Sequence, residues 1–217
     1  MIRILVLTLI LIFITSMAIA ASYLVGSTYP SPKLAAIFTN PDGSLCEMPC
    51  MFGIRPNVTR TTELLQIMRN HPIFLPLVRK ESSAASGTEF QFSDKTQNIV
   101  VVLDTRNVVQ SIHWRNSGCV PAWLSTVGDL ANTLGQPSAI FAQPFTSGSI
   151  DYVFKDYQMA IESNRTLASC KIASSNERLD PHDLVLGIFL EDSSYFERFK
   201  EGVPWRGFRP VKFYVPQ

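Results

Sequence analysis

The stretch RPNVTRTTELLQIMRNHP, residues 55–72, carries the beginning, the apolar face and the end of one amphipathic helix. Thr59 or Thr61 can cap the N-terminus, because a hydroxyl oxygen accepts a hydrogen bond from an unpaired N–H of the first turn. Pro72 cannot continue a helix and marks its end. The stretch therefore predicts a helix that buries one side, on which the apolar residues are Leu64, Leu65, Ile67 and Met68.

The apolar pattern changes to a period of two after this helix. Residues 89–92 alternate apolar and polar side chains, residues 98–103 read NIVVVL, and residues 109–114 alternate more weakly. Alternating and β-branched runs are typical of strands. The turn-like sequence DTRN, residues 104–107, separates the last two runs. These residues predict an antiparallel meander.

The same order of elements then recurs. The stretch LSTVGDLANTLGQP, residues 124–137, predicts a second helix in which Thr126 and Asp129 have the spacing of a capping box. Gly135 and Pro137 end this helix. Strands are predicted after it at residues 138–142, 149–154, 157–162 and 184–190.

A weak internal repeat follows from this order. The triplet TEL, residues 62–64, precedes Pro72 as the triplet GDL, residues 128–130, precedes Pro137. One helix with one meander cannot bury its own faces at this size, so two copies are expected to share a layer of helices on one sheet. The predicted fold class is α+β, a two-layer domain of short helices on a largely antiparallel sheet. The expected copies are residues 50–118 and 119–192.

The N-terminal segment, residues 1–26, is apolar apart from Arg3 and a few hydroxyls. Residues 4–25 are long enough to cross a bilayer as an uncleaved anchor, which needs about 20 residues. Ala18–Ala20 instead matches the A-x-A pattern of a cleaved signal peptide. A buried helix of a soluble domain is a third, poorer interpretation, because the run has no polar face. With anchor or signal, the positive-inside tendency keeps Arg3 in the cytoplasm and the rest of the chain outside it.

The remaining chain divides into a linker at residues 27–45 and an extracytoplasmic domain at residues 46–217, which ends in an aromatic tail at residues 193–217. The chain of 217 residues is 46% hydrophobic and 17% charged, with a net charge of +1. That balance lacks the basic surface of nucleic-acid-binding proteins, so no nucleic-acid partner is predicted. The expected partners are the membrane, through residues 4–25 if uncleaved, and a protein of the envelope.

The four cysteines fit an oxidising compartment. Three pairings are open, of which we favour Cys46–Cys50 with Cys119–Cys170. A redox site is the alternative for the first pair, although its spacing is C-x-x-x-C and the predicted helix begins about nine residues later, too far to activate a thiolate. A metal site would need further ligands, and none of the three histidines has ligand spacing. The histidines are His71, His113 and His182.

No motif for catalysis is present in the sequence. There is no G-x-S-x-G elbow, no H-E-x-x-H and no glycine-rich phosphate loop. The sequence therefore predicts a non-enzymatic protein that binds or scaffolds at the cell envelope, without cofactor, metal or catalytic residue. Two alternatives stay open, a thiol–disulfide redox protein that uses Cys46 and Cys50, and a hydrolase whose site the sequence does not reveal.

The C-terminal run interleaves aromatic and basic residues. Such a run can stack on nucleic-acid bases or lie on a membrane surface, but it can also cover an exposed face of the sheet. Recognition of a protein partner is the best functional alternative, because Trp, Tyr and Arg are favoured anchors at interfaces. The candidate partner-binding residues are Trp205, Arg206, Phe208 and Arg209.

Two stretches resemble known proteins. Residues 46–68 resemble a C-x-x-P-C-x-(aromatic)-G-I-x-P pattern of uncharacterised membrane-anchored or secreted bacterial proteins, except that Asn57 stands where glycine is usual. Residues 125–141 are similar to the helix–turn–strand unit of outer-membrane assembly lipoproteins and of β-lactamase inhibitor protein. The resemblance implies a non-catalytic α+β module that contacts other proteins. The matching residues are Cys46, Pro49, Cys50, Phe52, Gly53, Ile54, Pro56, Thr59 and Glu63 in the first stretch, and Thr126, Asp129, Leu130, Leu134, Gly135 and Pro137 in the second.

Overall fold

The fold is mixed α+β and consists mostly of antiparallel sheet. It is taken from a computed structural model, which describes residues 8, 10–17, 36–84, 87–116, 126–142, 149–164, 166–167, 172–173, 179, 181, 183–192, 196–199 and 202–208. The helices are α1 (Thr61–Asn70) and α2 (Val127–Leu134), and residues 10–17 are also helical. The strands are β1 (Val78–Ala84), β2 (Gly87–Ser93), β3 (Gln97–Leu103), β4 (Val109–Asn116), β5 (Ala139–Ala142), β6 (Ser149–Phe154), β7 (Met159–Asn164), β8 (Thr166–Leu167), β9 (Ile172–Ala173), β10 (Val185–Glu191) and β11 (Val203–Pro204).

Nine of the strands form one sheet in the order β1-β2-β3-β4-β10-β7-β6-β5-β11, and each adjacent pair is antiparallel. The strands that follow α1 are therefore ordered from one edge of the sheet to its middle. The strands β5, β6, β7 and β10, which follow α2, are ordered from the other side to the middle. β4 and β10 meet in the middle, where His113 lies directly opposite Phe189. β8 and β9 form a separate small hairpin.

The two helices are attached to the sheet in the same way. Arg60, just before α1, forms a bridge with Val108, just before β4, and Thr126, just before α2, forms one with Leu184, just before β10. The next hydrogen bonds match as well. The N–H of Thr61 donates to the carbonyl of Asn107 at 3.1 Å, and the N–H of Val127 donates to the carbonyl of Asp183 at 2.9 Å. Counted from these bridges, the triplets 62–64 and 128–130 occupy corresponding positions.

One buried cluster joins both helices to one face of the sheet. The alternation of β3 places Ile99, Val101 and Leu103 on that face. The buried helical residues of the same cluster are Leu64, Ile67 and Met68 of α1 and Val127 and Leu130 of α2. A smaller cluster on the opposite face lies under residues 196–199 and contains Ala139, Val153, Ala160, Phe189 and Phe199.

Several local predictions were confirmed, but β1 (Val78–Ala84) was not predicted, the strand predicted at residues 157–162 begins only at Met159, and the start of α1 differs. Thr126 and Asp129 form the predicted capping box, in which each side chain accepts a hydrogen bond from the backbone N–H of the other. The prediction that Thr59 or Thr61 caps α1 is wrong, because the N-cap is Arg60 and no side chain caps this helix. The Thr59 hydroxyl is engaged elsewhere and accepts from the N–H of Arg55 at 2.9 Å.

Several predictions fall on residues that the structure does not describe. Cys119, Cys170, His182 and Arg209 lie outside the described residues, as does most of the N-terminal segment. Within the described part of the chain, no helix is long and apolar enough to span a membrane. Ile37 and Phe38, which belong to the predicted linker, are buried in the large cluster.

Candidate functional site

The stretch of residues 46–56 is connected to the C-terminal end of α1 through Phe52, whose ring packs against His71. Cys46 and Cys50 are joined by a disulfide bond, with their Cα atoms 6.0 Å apart. The bond closes a small loop in which the peptide before Pro49 is cis. Cys50 is fully buried and Cys46 is half-buried. The bond thus ties the segment before Cys46 to the buried turn that follows Cys50.

That turn is held in an unusual conformation. Phe52 and Gly53 have φ angles of 57° and 80°, and the backbones of Met51 and Ile54 exchange two hydrogen bonds at 3.0 and 2.9 Å. Positive φ at both central residues is the geometry of a type I′ turn, which is uncommon for a bulky residue. The side chain of Phe52 is fully buried, and its N–H donates to the carbonyl of Ile37 at 2.7 Å. Packing and this hydrogen bond hold the aromatic residue in place.

Asn57 lies in the turn before α1 and has a left-handed backbone. Asn57 has a φ of 62°, in the left-handed region that glycine and asparagine adopt most easily. Its N–H donates to the carbonyl of Val109 at 2.8 Å, which connects the entry of α1 to β4. An asparagine therefore fits this position with little strain.

His71 follows α1 directly and is 5% exposed. Its ring packs edge-on against Phe52 and Phe74, with centroid separations of 5.7 and 5.9 Å. The N–H of Ile73 donates to Nδ1 of the ring at 3.3 Å. Burial lowers the pKa of His71 below its ordinary value of 6.5, and the backbone carbonyl of Thr39 opposes this in part. Nε2 is buried and has no partner at hydrogen-bond geometry among the described residues.

A pocket of about 330 Å³ lies against His71. Residues 36–43 form one wall, and the connection from α1 to β1 forms another. Gln97, at the start of β3, completes the lining, and its side-chain oxygen accepts from the indole N–H of Trp114 at 3.2 Å. Among the described residues that line the pocket, none is a lysine, arginine, aspartate or glutamate. The lining residues are Ala36, Thr39, Asn40, Pro41, Gly43, His71, Pro72, Ile73, Pro76 and Gln97.

Exposed apolar side chains continue from the pocket along the chain. Leu75 and Val78 are 67% and 63% exposed and flank Pro76 in the sequence. Val78 begins β1, and no strand of the described part of the chain pairs with the outer edge of β1. The pocket, these two side chains and the sheet edge together form the pocket region.

The predicted C-terminal residues lie in the other half of the sheet. The ring of Trp205 contacts Tyr152 and Phe208, with centroid separations of 6.0 and 5.1 Å, and its indole N–H donates to the side chain of Gln136. Trp205 and Phe208 are half-buried against the large cluster, whereas Arg206 is exposed. Much of this aromatic surface is therefore used within the protein. A role in partner binding stays a prediction.

A buried acid lies beside a histidine in the middle of the sheet. The carboxylate of Glu191, which is 0% exposed, lies 3.3 Å from Nε2 of His113. Beside this pair, Arg115 contacts Glu162 at 3.0 Å, and its guanidinium lies 5.4 Å from the ring centroid of Phe189. Within the described ranges, no group of three or more His, Cys, Asp or Glu side chains is arranged to hold a metal ion. These contacts connect the strands that meet at the centre of the sheet.

Sequence reasoning missed the pocket. It considered His71 only as a metal ligand and Pro72 only as a helix stop. A histidine between a helix end and a proline, followed by the apolar run IFLPLV at residues 73–78, was a signal for a structured connection. No local pattern shows that residues 36–43 return to cover it.

Comparisons with known proteins leave the family open. No protein-family model and no curated protein matches this sequence. Among solved structures, the chain is similar to a DUF4309 family protein (YjgB) from Bacillus subtilis subsp. subtilis str. 168, with 11% identity and a TM-score of 0.39, over 74% of this chain and 93% of that one. It is also similar to a cysteine-rich secretory protein from Staphylococcus aureus subsp. aureus Mu50, with 10% identity and a TM-score of 0.28, over 63% of this chain. The chain spans about half of that protein, 48% of its length.

Proposed function

We propose that this protein is a non-enzymatic binding protein of the cell envelope, and that it engages its partner at the pocket region. The observation that carries the proposal is the pocket itself. It is a cavity of about 330 Å³ whose lining includes three prolines, an alanine and an isoleucine beside His71 and a few uncharged polar residues. Binding sites are commonly apolar cavities with a few placed polar groups.

The proposed location rests on the N-terminal segment and the cysteines. Residues 4–25 anchor the chain in the membrane with the domain on the extracytoplasmic side, and secretion after signal cleavage is the alternative. The disulfide between Cys46 and Cys50 is consistent with an oxidising compartment. Anchoring would hold the pocket region near other proteins of the envelope.

The disulfide supports a structural role better than the redox alternative. Thiol–disulfide exchange requires a thiolate to reach one of the two sulfurs. Cys50 is fully buried, and the nearest long helix begins at Thr61, well away from both cysteines. The bond instead closes the loop of residues 46–50, which connects residues 36–45 to the buried turn at Phe52.

The matched attachment of the two helices supports an origin in two tandem copies. The paired bridges and the mirrored strand order are what two copies of a helix-plus-meander unit would produce. On this proposal the pocket region lies between the first copy and residues 36–43, which precede it, and the C-terminal aromatic residues follow the second copy. Both features are then additions to the repeated unit.

The proposal can be tested by site-specific photocrosslinking in intact cells. A photoreactive amino acid is placed at Leu75 in the pocket region, at Arg206 in the C-terminal segment, and at Val58 as control. Val58 is 54% exposed but lies at the opposite end of α1, a helix of about 15 Å. We expect one defined crosslinked product from Leu75 and none from Val58.

The other outcomes decide against the proposal in different ways. A product from Arg206 alone would move the binding surface to the C-terminal segment. Equal products from Leu75 and Val58 would indicate contact without a specific surface. No product at any of the three positions would refute a stable protein partner at the pocket region.

A further inference from the structure

We propose that β1 pairs antiparallel with β1 of a second copy of this chain, across a two-fold axis at Lys80, so that the two nine-stranded sheets continue into each other. This pairing goes beyond the proposed function, because it assigns the sheet edge to a second copy and leaves the pocket itself to the envelope partner. The direction of the backbone groups of β1 and the order of its charges support it.

The backbone groups of every second residue of β1 point to the unpaired edge. The N–H of Asp94 donates to the carbonyl of Gln97 at 3.0 Å and closes the hairpin of β2 and β3. Hydrogen-bonded positions alternate along antiparallel strands, so the residues of β2 that bond to β3 alternate with residues, such as Gln91, that bond to β1. Lys80 lies opposite Gln91. The two residues that flank Lys80 therefore direct their N–H and C=O groups outward, where no strand of the described chain receives them.

These two flanking residues carry opposite charges on one face of the strand. Arg79 lies opposite Phe92 and Glu81 lies opposite Phe90, so both side chains are on the face of the large cluster. The guanidinium of Arg79 contacts the carboxylate of Glu81 at 2.7 Å and lies 4.7 Å from the ring centroid of Phe90. The two charged side chains are 44% and 50% exposed, so a second copy can reach both.

The charges favour one register for a symmetric pair. When two copies of an edge strand pair antiparallel about a two-fold axis, the residue on the axis lies opposite itself. With Lys80 on the axis, Arg79 of each copy lies opposite Glu81 of the other, and these two pairs also exchange backbone hydrogen bonds. An axis one residue earlier or later would place Arg79 opposite Arg79, or Glu81 opposite Glu81, where like charges repel.

The like charges on the axis are the unfavourable feature of this register. Lys80 lies on the other face of the strand from Arg79 and is exposed, so the two ammonium groups can separate into solvent. Charged residues at a sheet edge usually discourage pairing, but here two attractive pairs oppose one repulsive pair. Val78, which is 63% exposed, would lie opposite Ser82 of the second copy and lose part of its contact with water.

The dimer should be weak in dilute solution. Pairing along the seven residues of β1 buries less surface than a stable protein dimer usually requires. Attachment of both copies to one membrane would raise their effective concentration. The dimer is therefore tested with the full chain in cells.

Cysteine crosslinking under mild oxidation tests the dimer and its register. Identical residues on the axis form a non-hydrogen-bonded pair with Cα atoms about 4.5 Å apart, a separation that a disulfide bond can span. We expect Lys80→Cys to give a disulfide-linked dimer on a non-reducing gel. Ser82→Cys is the matched control on the same face, because its two copies would lie about 14 Å apart. Neither this control nor the chain without an introduced cysteine should give the dimer.

A mixed pair of variants tests the register independently. Val78 of one copy lies opposite Ser82 of the other when Lys80 is on the axis. Co-expression of Val78→Cys with Ser82→Cys should therefore give a mixed disulfide-linked dimer that neither variant gives alone.

Charge reversal separates the ionic pairs from strand pairing. In the Lys80→Cys protein, Glu81→Arg places like charges opposite each other twice and should lower the crosslinked fraction about fivefold. Adding Arg79→Glu restores two pairs of opposite charge and should recover most of the dimer. An unchanged crosslinked fraction in the Glu81→Arg protein would overturn the role of these charges.

The remaining outcomes decide on the dimer itself. Equal crosslinking of Lys80→Cys and Ser82→Cys would indicate random contact and overturn the proposed pairing. Absence of both the Lys80→Cys dimer and the mixed dimer, in variants with the melting temperature of the parent protein, would also overturn it. A photocrosslink from Leu75 to another protein without a Lys80→Cys dimer would leave the proposed function standing and remove only this pairing. A Lys80→Cys dimer without any Leu75 product would refute only the proposed function.

Discussion

The two halves of the sheet begin alike and end differently. After α2, a short connection leads to β5, and Trp205 covers it by donating its indole N–H to Gln136 and its backbone N–H to the carbonyl of Ser138. β11 also pairs with β5 and closes that edge. After α1, the longer connection of residues 71–77 leaves the pocket, and within the described chain β1 has no outer partner. The C-terminal segment thus completes one half, whereas the other half has a cavity and, within the described residues, an unpaired edge.

The starts of the helices show which forces set this common geometry. The N-caps Arg60 and Thr126 have almost the same angles, φ −93° with ψ 162° and φ −93° with ψ 160°. Only Thr126 has a side chain that caps its helix. The bridges to Val108 and Leu184 are common to both. The backbone route into each helix is therefore set by its attachment to the sheet, and the capping box adds stability to a geometry already fixed.

The largest expected effect tests whether the halves are one folding unit. Leu64 and Leu130 occupy corresponding positions, and both are fully buried in the large cluster. We expect Leu64→Ala and Leu130→Ala each to lower the free energy of unfolding by about 2–5 kcal/mol. Because the cluster is shared, urea unfolding followed by circular dichroism and by tryptophan fluorescence should give one coincident transition in each variant.

The control for these two variants is Leu75→Ala. Leu75 is 67% exposed, so its truncation should change stability by less than about 0.5 kcal/mol. Two separate transitions in Leu130→Ala would show that the halves unfold independently. In that case the mirrored sheet order would describe two domains joined at β4 and β10.

The next effect concerns a position at which the two helices differ in packing. A Cβ atom added at Gly128 would lie 2.9 Å from the carbonyl oxygen of Pro181. Thr62 holds the corresponding position in α1 and is exposed. We expect Gly128→Ala to destabilise the protein by about 1–3 kcal/mol despite the better helix propensity of alanine, because the backbone of Pro181 must shift.

Thr62→Ala is the matched control and should be nearly neutral or slightly stabilising by thermal unfolding. A stabilised Gly128→Ala protein would mean that the Pro181 backbone yields at little cost. The close contact between α2 and the chain before β10 would then play no part in holding the second half together.

A smaller effect is expected at the N-caps. Thr126→Ala removes the side-chain acceptor of the capping box and should cost about 1 kcal/mol. Arg60→Thr places a hydroxyl three residues before Glu63 and should gain about 0.5–1 kcal/mol, because the backbone already has N-cap angles. Both changes are measured as shifts in the urea midpoint. If Arg60→Thr has no effect, the bridge to Val108 already provides what a side-chain cap would add.

Local signals were sufficient to predict most of the elements. The capping box at Thr126 and Asp129, the stop at Pro72 and the alternation in β3 each depend on neighbouring residues. The error at Thr59 arose because its hydroxyl found a backbone partner at Arg55 in the turn before the helix. Such competition between a turn and a cap cannot be resolved from spacing alone.

The sheet order and the pocket required information that no local pattern contains. β10 lies between β4 and β7, although about seventy residues separate it from β4 in the chain. The pocket forms because the N–H of Phe52 bonds to Ile37 and brings residues 36–43 over the end of α1. The positive φ of Phe52 is stabilised by that packing, against the usual preference of an aromatic residue. Long-range contacts therefore decided the part of the molecule that we propose to be functional.

The smallest expected effect is a pH dependence that His71 contributes to the stability of the first half. Burial lowers the pKa of His71 in the folded state, so between pH 7 and 6 the unfolded chain binds more protons than the folded one. Stability should therefore fall as the pH falls through about 6.5 toward the folded pKa, by up to about 0.7 kcal/mol between pH 7 and 6. Asp94 and Asp104 affect stability at lower pH, because hydrogen bonds to their neighbours lower their pKa values from 3.8 despite an opposing desolvation.

His71→Phe should remove the dependence of the free energy of unfolding on pH between pH 7 and 6, as measured by urea unfolding. The loss of stability below pH 4 should be unchanged. An unchanged pH dependence of the free energy of unfolding would mean that His71 is protonated in the folded state as easily as in the unfolded chain. Its Nε2 would then donate to an acceptor such as the carbonyl of Thr39. The polar groups after α1 would in that case be paired within the protein, as the side chain of Gln136 after α2 is paired with Trp205.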